Sequence, residues 1–565
     1  MAQRNILQEY DHLPPFGEVS SCEENNVESE EDVQSEEEFD DHSDVEESTI
    51  EQVSGLEREI PGINIGRRRS FIRGRNDHKW SLNAPEVREE QRPMTIHVPK
   101  ANLEAQQVRT SLDSWSLLFS DNILKIIVKF TNKEINKIVN ISNQTVYNRT
   151  DVTEIRAFFG ILYFSGVQKN GLTNPEEMWS NEFGSNLYRS VMSLGRFILL
   201  GSCLCFDDKN TRAERKLTDG LAAIREIWDI FIANCTKYYT PSQNCTIDEQ
   251  LLEFKGRFHA KVYIKGKSDR CGIKIISMND AANGYMINAL PYIGRVITER
   301  ENVPSYYVRK LSTPIHNTNR NITCGNRFTS VEIVDKMMSK YSLTMVGTIR
   351  KNKRHIPILF SRPISVGTAR YAYDNGKTLL SYSPKKNKIV LLLSSLHERG
   401  RTDENTEKPE IITFYKSTKG GTDTFDQLCK YYSTVRKTNQ WTMRFFFGML
   451  DQAGVNAYRL YELNQQNQQI NRRSFLKNLT LSLIKPELER RLTILTLRKS
   501  LKLMIWEILN VEDPDSTANT GKMEKRKRCY FCPTKKDRKT FYCCTHCKKP
   551  ICEDHRSPIC SECIP

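Results

Sequence analysis

Apolar residues recur at intervals of three and four positions from about Ser111 to Pro241, as in EIRAFFGILYFSGV and LAAIREIWDIFIANC. Because this spacing puts them on one face of an α-helix, it predicts a helical region over the whole stretch. The period then changes. The next runs are short, rich in β-branched residues and broken by Gly and polar turns, which predicts strands. These runs are CTIDEQLLEF, AKVYIKG, CGIKIISMND and GYMINALPYIG.

The pattern downstream predicts a helix at VEIVDKMMSK, a strand at SLTMVGTIR and a β-rich stretch over about 355–415 that includes KIVLLLSS. Helical spacing resumes at DTFDQLCKYYS and at WTMRFFFGMLDQAGVNAYRLYEL, and continues through a basic amphipathic segment to about residue 511. No repeat of fixed period interrupts this order. A β-rich centre between two helical regions is therefore expected.

Length and charge narrow the class of protein. The 565 residues predict about three to five domains. Lys and Arg number 83 against 69 Asp and Glu, and the net charge of +14 indicates an anionic partner, either nucleic acid or an acidic membrane surface. A merely basic soluble protein is the alternative. The segment 23–48 is almost entirely acidic and polar, which predicts a disordered acidic tail over 1–60 and a still more basic remainder.

Membrane insertion and export are not expected. No apolar run approaches the roughly 18–20 residues that span a bilayer, and Met1 to Tyr10 lacks the apolar core of a signal peptide. The 16 cysteines are therefore unlike a disulfide framework. Half of them crowd into 529–563, and the scattered remainder are expected to be buried thiols.

The cysteine-rich tail predicts a zinc module. CYFC, CTHC, CEDH and CSEC are four consecutive pairs with two residues between the ligands, which suits two closed, structural zinc sites. Iron–sulfur is a weaker alternative. The short gap between the second and third pairs favours an interleaved arrangement, in which the first pair shares an ion with the third and the second pair shares an ion with the fourth. A sequential arrangement stays open. Cys543 or His546 could also replace a neighbouring ligand. The interleaved sets are Cys529, Cys532, Cys552 and His555, and then Cys544, Cys547, Cys560 and Cys563.

A basic run precedes and enters this module. It favours DNA as the partner and is also typical of a nuclear localisation signal, which predicts a nuclear protein. A solvated basic linker is the alternative. The residues are Lys525, Arg526, Lys527 and Arg528, followed by Lys535, Lys536, Arg538 and Lys539.

Three carboxylates are candidates for chemistry. Asp248 lies in a predicted strand, and Asp423 and Asp426 lie three residues apart on one face of a predicted helix. Carboxylates from a strand and a helix suit Mg²⁺, and two such ions can drive phosphodiester transfer. Taken singly, each Asp is more commonly a solvated or capping residue.

Several long and unusual sequence motifs indicate which family the chain resembles. It is similar to the piggyBac transposases from about residue 70 to its end, with the blocks in the same order and at the same spacing. The blocks are TIDEQLLEFKGR, CGIKI, GYMINALPYIGR, NITCGNRFTS, VGTIRKNKRHIP, TKGGTDTFDQLC and RKTNQWTMRFFFGML.

The resemblance implies an α/β RNase H-like core with a β-rich insertion, flanked by an all-α dimerisation and DNA-binding domain and a small zinc cross-brace module. After the acidic tail and a basic linker at 61–110, the helical domain would take 111–243 and 434–512. The core would take 244–352 and 410–433, and the insertion 353–409. A second basic linker, 513–528, would lead to the zinc module at 529–563.

The resemblance also implies a homodimer that cuts double-stranded DNA at transposon ends and reinserts it at TTAA sites, with catalytic Mg²⁺. Asp248 matches the family's first catalytic aspartate, Asp423 the third and Asp426 the nearby fourth. The family's Trp after the third motif matches Trp441. We also expect DNA contacts from the basic residues of the fifth block, Arg350, Lys351, Lys353 and Arg354.

The second aspartate departs from the family pattern. Where the family reads C-D-N-W-F-T-S, this chain has Gly325 at the Asp position and Arg327 at the Trp position. Because glycine has no ligand atom, the sequence predicts a transposase-derived DNA-binding protein with impaired cleavage and strand transfer. The alternatives are an active transposase, and a chromatin or protein-interaction module without a specific DNA site.

Overall fold

The computed structural model describes residues 64–66, 69–86, 97–142, 148–264, 270–294, 302–511, 522–544 and 547–555. The predicted acidic tail, 1–60, lies outside the described residues, as do His546, Cys560 and Cys563. The chain divides into two compact units, one built from 1–178 and 194–487 and the other from 179–193 and 488–565. None of the described helices is long and apolar enough to cross a membrane.

Several helices begin at a residue whose side chain caps them. Thr110 and Asp113 form a reciprocal capping box at the start of α1, and Asp151 and Ser330 accept backbone N–H groups at the starts of α3 and α10. The described helices are α1 Ser111–Leu118, α2 Asp121–Ser142, α3 Val152–Val167, α4 Pro175–Met178, α5 Asn186–Val191, α6 Leu194–Cys203, α7 Lys209–Lys216, α8 Arg225–Lys237, α9 Val303–Leu311, α10 Val331–Tyr341, α11 Glu410–Thr418, α12 Gly421–Tyr431, α13 Trp441–Leu463, α14 Arg472–Leu492 and α15 Lys499–Leu509. Short 3₁₀ turns occupy Leu103–Gln107, Thr313–Ile315, Ile358–Ser361, Thr534–Lys536 and Glu553–His555.

The helical part of the first unit packs around aromatic side chains. Phe119 lies 5.2 Å from Trp115, 5.8 Å from Phe159 and 6.0 Å from Phe446 between ring centroids. All four rings are fully buried. Trp115 belongs to α1, Phe119 directly follows α1, Phe159 belongs to α3 and Phe446 to α13, so this cluster joins helices that lie far apart in the sequence.

The strands of the first unit form one mixed sheet of twelve strands within the described residues, in the order β1-β2-β3-β12-β13-β14-β11-β10-β6-β8-β7, with β9 on β8. With the helices, this sheet confirms the predicted α/β architecture. Its strands are β1 Asn64–Gly66, β2 Arg69–Arg73, β3 Lys79–Ser81, β6 Asn244–Glu253, β7 Val262–Tyr263, β8 Cys271–Asp280, β9 Met286–Pro291, β10 Asn321–Cys324, β11 Thr344–Thr348, β12 Ala369–Asp374, β13 Lys377–Lys385 and β14 Lys388–Ser394. A separate pair joins β4 Lys100–Ala101 to β5 Tyr239–Thr240.

The sheet changes direction at its centre. β10 runs parallel to both β6 and β11, whereas every other pair in this sheet is antiparallel. β10 is buried along its whole length, as expected for a parallel strand covered on both faces. Strands β12–β14, within the expected insertion, extend this sheet through β11, and β1–β3 extend it further through β12.

The second unit holds α5, α15 and the hairpin of β15 Lys522–Arg528 with β16 Lys539–Tyr542. The indole N–H of Trp179 donates to the Met192 carbonyl at 2.9 Å, and its ring stacks on Tyr188. Arg491 donates to the carbonyls of Arg189 and Ser190. These bonds satisfy polar groups in and around α5, a helix too short to be stable alone.

Candidate catalytic, metal and nucleic-acid sites

The end of α11 and the start of α12 are seated on the sheet by small residues. A Cβ added to Gly421 would lie 2.7 Å from the Thr246 Oγ1, so only glycine allows this approach of helix to strand. Thr246 donates to the Thr418 carbonyl at 2.7 Å, and the hydroxyls of Thr418 and Thr323 lie 2.8 Å apart. The face of the sheet that carries Thr246 and Thr323 is therefore the face that α12 covers.

Asp248 lies on this same face, because side chains alternate along a strand. Its carboxylate is partly buried and accepts the backbone N–H of Glu249 at 2.8 Å. Asp423 lies in the first turn of α12 and is exposed. Burial raises the pKa of the Tyr415 phenol, and the charges of Asp248 and Asp423 both add to that rise. Both carboxylates therefore lie near enough to Tyr415 for their charges to act on its phenol.

Asp426 is arranged differently. It is buried in α12, and its carboxylate pairs with Lys430 at 3.0 Å, one turn further along the helix. Trp441 begins α13, and its ring lies 4.9 Å from Phe258.

Position 325 lies where a second strand carboxylate would be. Cys324 pairs with Ile247 in the parallel register of β10 and β6, so continuing it by one residue brings Gly325 beside Asp248. A Cβ added to Gly325 would meet no heavy atom within 4 Å. The backbone therefore leaves room for an aspartate at this position.

Arg327 extends to the opposite face of the sheet. Its guanidinium lies 3.2 Å from the buried carboxylate of Glu249, which also faces the Lys274 ammonium at 3.5 Å. Glu249 alternates with Asp248 along β6, so this ion pair lies on the face that α12 does not cover. Arg327 thereby ties the loop after β10 to β6. The sequence pattern did not identify this role, because nothing in the spacing marks Glu249 or Lys274 as buried partners.

These residues do not fit a pair of divalent ions. Two bridged ions need several convergent carboxylate oxygens, whereas Gly325 offers none and Asp426 is paired with Lys430. Within the described residues, the aspartates do not form a group of three or more whose ligand atoms all lie within 4.8 Å.

The tail does contain such a group. One ligand atom from each of Cys529, Cys532, Cys552 and His555 lies within 4.8 Å of all the others. The Cys552 Sγ is 3.6 Å from the Cys532 Sγ and 3.2 Å from the His555 Nδ1. Three thiolates and one imidazole match the donor set of a closed structural zinc site, so these residues could hold a metal such as zinc. This is the first of the two predicted interleaved sets.

Two ligands of the second predicted set are described. The Cys547 N–H donates to the Cys544 Sγ at 3.5 Å, which forms the turn that a C-x-x-C pair needs. Cys560 and Cys563 lie outside the described residues. The Cys543 backbone forms an isolated β-bridge with Pro550.

Both predicted basic segments present cations at the surface. Lys525, Arg526 and Lys527 are exposed on β15, where the Arg526 guanidinium lies 5.1 Å from the centroid of the Phe541 ring. In the other segment Lys351 and Arg354 are exposed, while Arg350 and Lys353 are partly buried. The Arg350 Nε lies 3.4 Å from the Asn326 Oδ1, which connects this segment to the loop that contains Gly325.

Comparison with known proteins gives consistent matches. A family model described as Transposase IS4 matches residues 110–458, more than half of the chain. The human PiggyBac transposable element-derived protein 3 is 23% identical over 382 residues, which cover 63% of this chain and 62% of that protein. The human PiggyBac transposable element-derived protein 2 is 22% identical over 406 residues, covering 66% of this chain and 65% of that protein. The matched region is thus less than two thirds of each human relative.

A solved structure resembles the chain over a longer span. The cryo-EM structure of a piggyBac transposase synaptic complex with hairpin DNA superimposes with a TM-score of 0.74 and is 37% identical in sequence. The match covers 83% of this chain and 100% of that one.

Proposed function

We propose, since the chain belongs to the piggyBac transposase family, that it is a transposase-derived protein that binds double-stranded DNA and has impaired cleavage and strand-transfer chemistry. The observation that carries this proposal is Gly325. It lies beside Asp248 at the end of a parallel strand and contributes no oxygen to the site.

DNA binding is the retained function. The solved relative forms a complex with hairpin DNA, and this chain matches the whole of that relative's described chain. The exposed cations of β15 and of the 350–354 segment supply the positive charge that phosphates require. We assign Arg350, Lys351, Lys353 and Arg354 in the first unit to DNA contacts and, separately, Lys525 to Arg528 in the second unit, with transposon ends and TTAA sites as the ancestral targets.

Impairment follows from the donor set. In phosphodiester transfer assisted by two metal ions, convergent carboxylates would hold the ions, and the lack of one of these carboxylates would remove several kcal/mol of barrier lowering. Asp248, Asp423 and Asp426 remain as the catalytic candidates. What these residues can still do is bind a cation weakly and hold negative charge near the DNA.

The remaining architecture follows the family. We assign residues 244–352 and 410–433 to an RNase H-like core, residues 353–409 to its insertion, and the helices of 111–243 and 434–512 to a dimerisation and DNA-binding domain. We assign the tail to a cross-braced module with two structural zinc ions, held by the Cys529 set and by Cys544, Cys547, Cys560 and Cys563. The basic run before it would direct the protein to the nucleus.

The experiment is a cell-based excision assay of the unmodified chain beside Gly325→Asp, with a reporter flanked by the element's own ends. We expect no excision from the unmodified chain and measurable excision from Gly325→Asp. Asp248→Asn in the Gly325→Asp background is the matched control and should abolish the recovered signal.

Two outcomes would contradict the proposal. Robust TTAA-directed excision by the unmodified chain would show an active transposase. Binding that neither falls with added salt nor prefers element ends would favour a chromatin or protein-interaction module.

A further inference from the structure

The hairpin of β2 and β3 packs against the basic segment 350–356, which the family resemblance led us to expect at the DNA. The tip of the hairpin, residues 74–78, is closed by two backbone hydrogen bonds, from Gly74 to His78 and from Asp77 to Gly74. Its backbone touches that of Arg354 and His355. The sequence pattern did not predict this hairpin, because 61–110 is polar and basic and has the composition of a linker.

Three contacts hold the tip in place, and all use backbone carbonyls of the basic segment. The Trp80 indole N–H donates to the His355 carbonyl at 2.8 Å, and the ring is fully buried. The Asn76 N–H donates to the Arg354 carbonyl at 3.2 Å. A Cβ on Gly74 would lie 2.6 Å from the His355 oxygen, so only glycine permits this approach.

Ring contacts reinforce the junction. The His78 ring lies 5.0 Å from Trp80 and 5.1 Å from His355, both in edge arrangements. His78 and His355 also face carboxylates, Asp374 at 3.1 Å and Glu332 at 3.4 Å respectively. The junction therefore fixes the backbone of residues 354 and 355 from one side.

Fixing the backbone in this way leaves the charged side chains outside. Lys351 and Arg354 are exposed on the basic segment, and Arg75 and Lys79 are exposed on the hairpin. Because residues 74–76 lie directly against 354–355, the two backbone segments that carry these exposed cations lie side by side. Their shared charge and exposure match a partner that presents a row of phosphates.

We propose that residues 69–81 and 350–356 form one surface for the DNA backbone, in which Arg75 and Lys79 contact phosphates and Trp80 is a positioning residue for the basic segment. This inference rests on the proposed DNA binding. It adds named contacts and an anchor from 61–110, the part of the chain whose composition predicts only a basic linker that could touch phosphates.

The charge part is tested by the salt dependence of binding. We would measure affinity of the full chain for a short labelled duplex by fluorescence anisotropy over a series of salt concentrations. Each lost phosphate contact lowers the slope of log K against log salt by about 0.9, so Arg75→Ala with Lys79→Ala should lower it by about 1.8. Lys386→Ala removes an exposed charge elsewhere on the same unit and should leave the slope unchanged.

The anchor part is tested by limited trypsin digestion, because Lys351, Lys353 and Arg354 are cleavage sites. Trp80→Phe removes one hydrogen bond, worth about 0.5–1.5 kcal/mol. The fraction of molecules in which the basic segment has detached from the hairpin should therefore rise about two- to tenfold, and the rate of cleavage in this segment should rise with it. Gly74→Ala should act in the same direction through its clash with His355. Bound duplex should protect the segment in the unmodified chain.

The outcomes separate the two proposals. An unchanged slope for the double alanine variant, with normal binding by the unmodified chain, would overturn the surface. Unchanged cleavage in both Trp80→Phe and Gly74→Ala would overturn the anchor. If the unmodified chain failed to bind any duplex, the proposed function itself would fall, and this inference with it.

Discussion

Arg327 offers a direct test of how the altered loop is held. The family's tryptophan at this position suggests that activity would need both Gly325→Asp and Arg327→Trp. The structure leads to the opposite expectation, because Arg327 pairs with the buried Glu249 and ties the loop to β6. We predict that Gly325→Asp alone recovers more Mg²⁺-dependent nicking than Gly325→Asp with Arg327→Trp.

The magnitude follows from the geometry. At 3.2 Å and an effective dielectric constant of about 20, the gross attraction between the two charges is about 5 kcal/mol. Breaking a buried pair costs about 3–5 kcal/mol, but Arg327 is 27% exposed and the Lys274 ammonium still faces Glu249. We therefore expect a coupling of about 1–2 kcal/mol, between the values for surface and buried pairs.

The coupling is measured by a double-mutant cycle of Arg327→Ala and Glu249→Gln, with the thermal midpoint and amide exchange in 325–330 as readouts. The effect on activity is measured separately, as nicking of an element-end duplex by variants in the Gly325→Asp background. Arg327→Lys keeps the positive charge, so its nicking activity in the Gly325→Asp background should lie between that with arginine and that with tryptophan at position 327. Additivity of the two single changes within about 0.5 kcal/mol would refute the coupling. Higher nicking by the Gly325→Asp, Arg327→Trp double variant would refute the role of Arg327 in holding the loop.

Two further predictions concern metal and pH. The full chain should contain about two zinc ions, and Cys552→Ser should lose one of them while Cys543→Ser keeps both, as measured by elemental analysis. Burial, opposed by hydrogen bonds from Ser433 and Thr434, raises the pKa of Asp451 to about 6. The folded state then binds more protons than the unfolded state between the ordinary value of 3.8 and about 6, so this group lowers stability as pH rises through that window. The thermal midpoint of Asp451→Asn relative to the unmodified chain should therefore be higher at pH 7.5 than at pH 4.5, whereas exposed Glu404→Gln should show no such trend.

The sequence predicted those parts of the fold whose information is local. Periodicity located the helices on both sides of the strands, and the resemblance confirmed by the family match supplied the order of blocks. The β2–β3 hairpin was missed because its anchor lies in single contacts with residues about 275 positions away, such as that of Trp80 with His355. Polar composition at 61–110 carries no signal of such a contact.

The candidate sites divide in the same way. Spacing predicted the Cys529 set, because metal geometry restricts the number of residues between ligands and leaves a trace in the chain. Spacing could not predict that Asp426 would pair with Lys430, or that Arg327 would reach Glu249 across the sheet. Ion pairs between flexible side chains have no fixed separation in sequence, so the tertiary structure decides them.

The glycine at position 325 also has a consequence for the proposed DNA binding. The residues that seat the end of α11 and the start of α12 on the sheet, Thr246, Thr418 and Gly421, are not the ones whose oxygens would hold a metal. Loss of a carboxylate at 325 therefore leaves the scaffold intact and removes one negative charge beside Asp248. Like charges brought together without a metal repel one another and also repel phosphates. A glycine here thus suits a protein that holds DNA without cutting it, and Gly325→Asp should weaken metal-free DNA binding even where it restores cleavage.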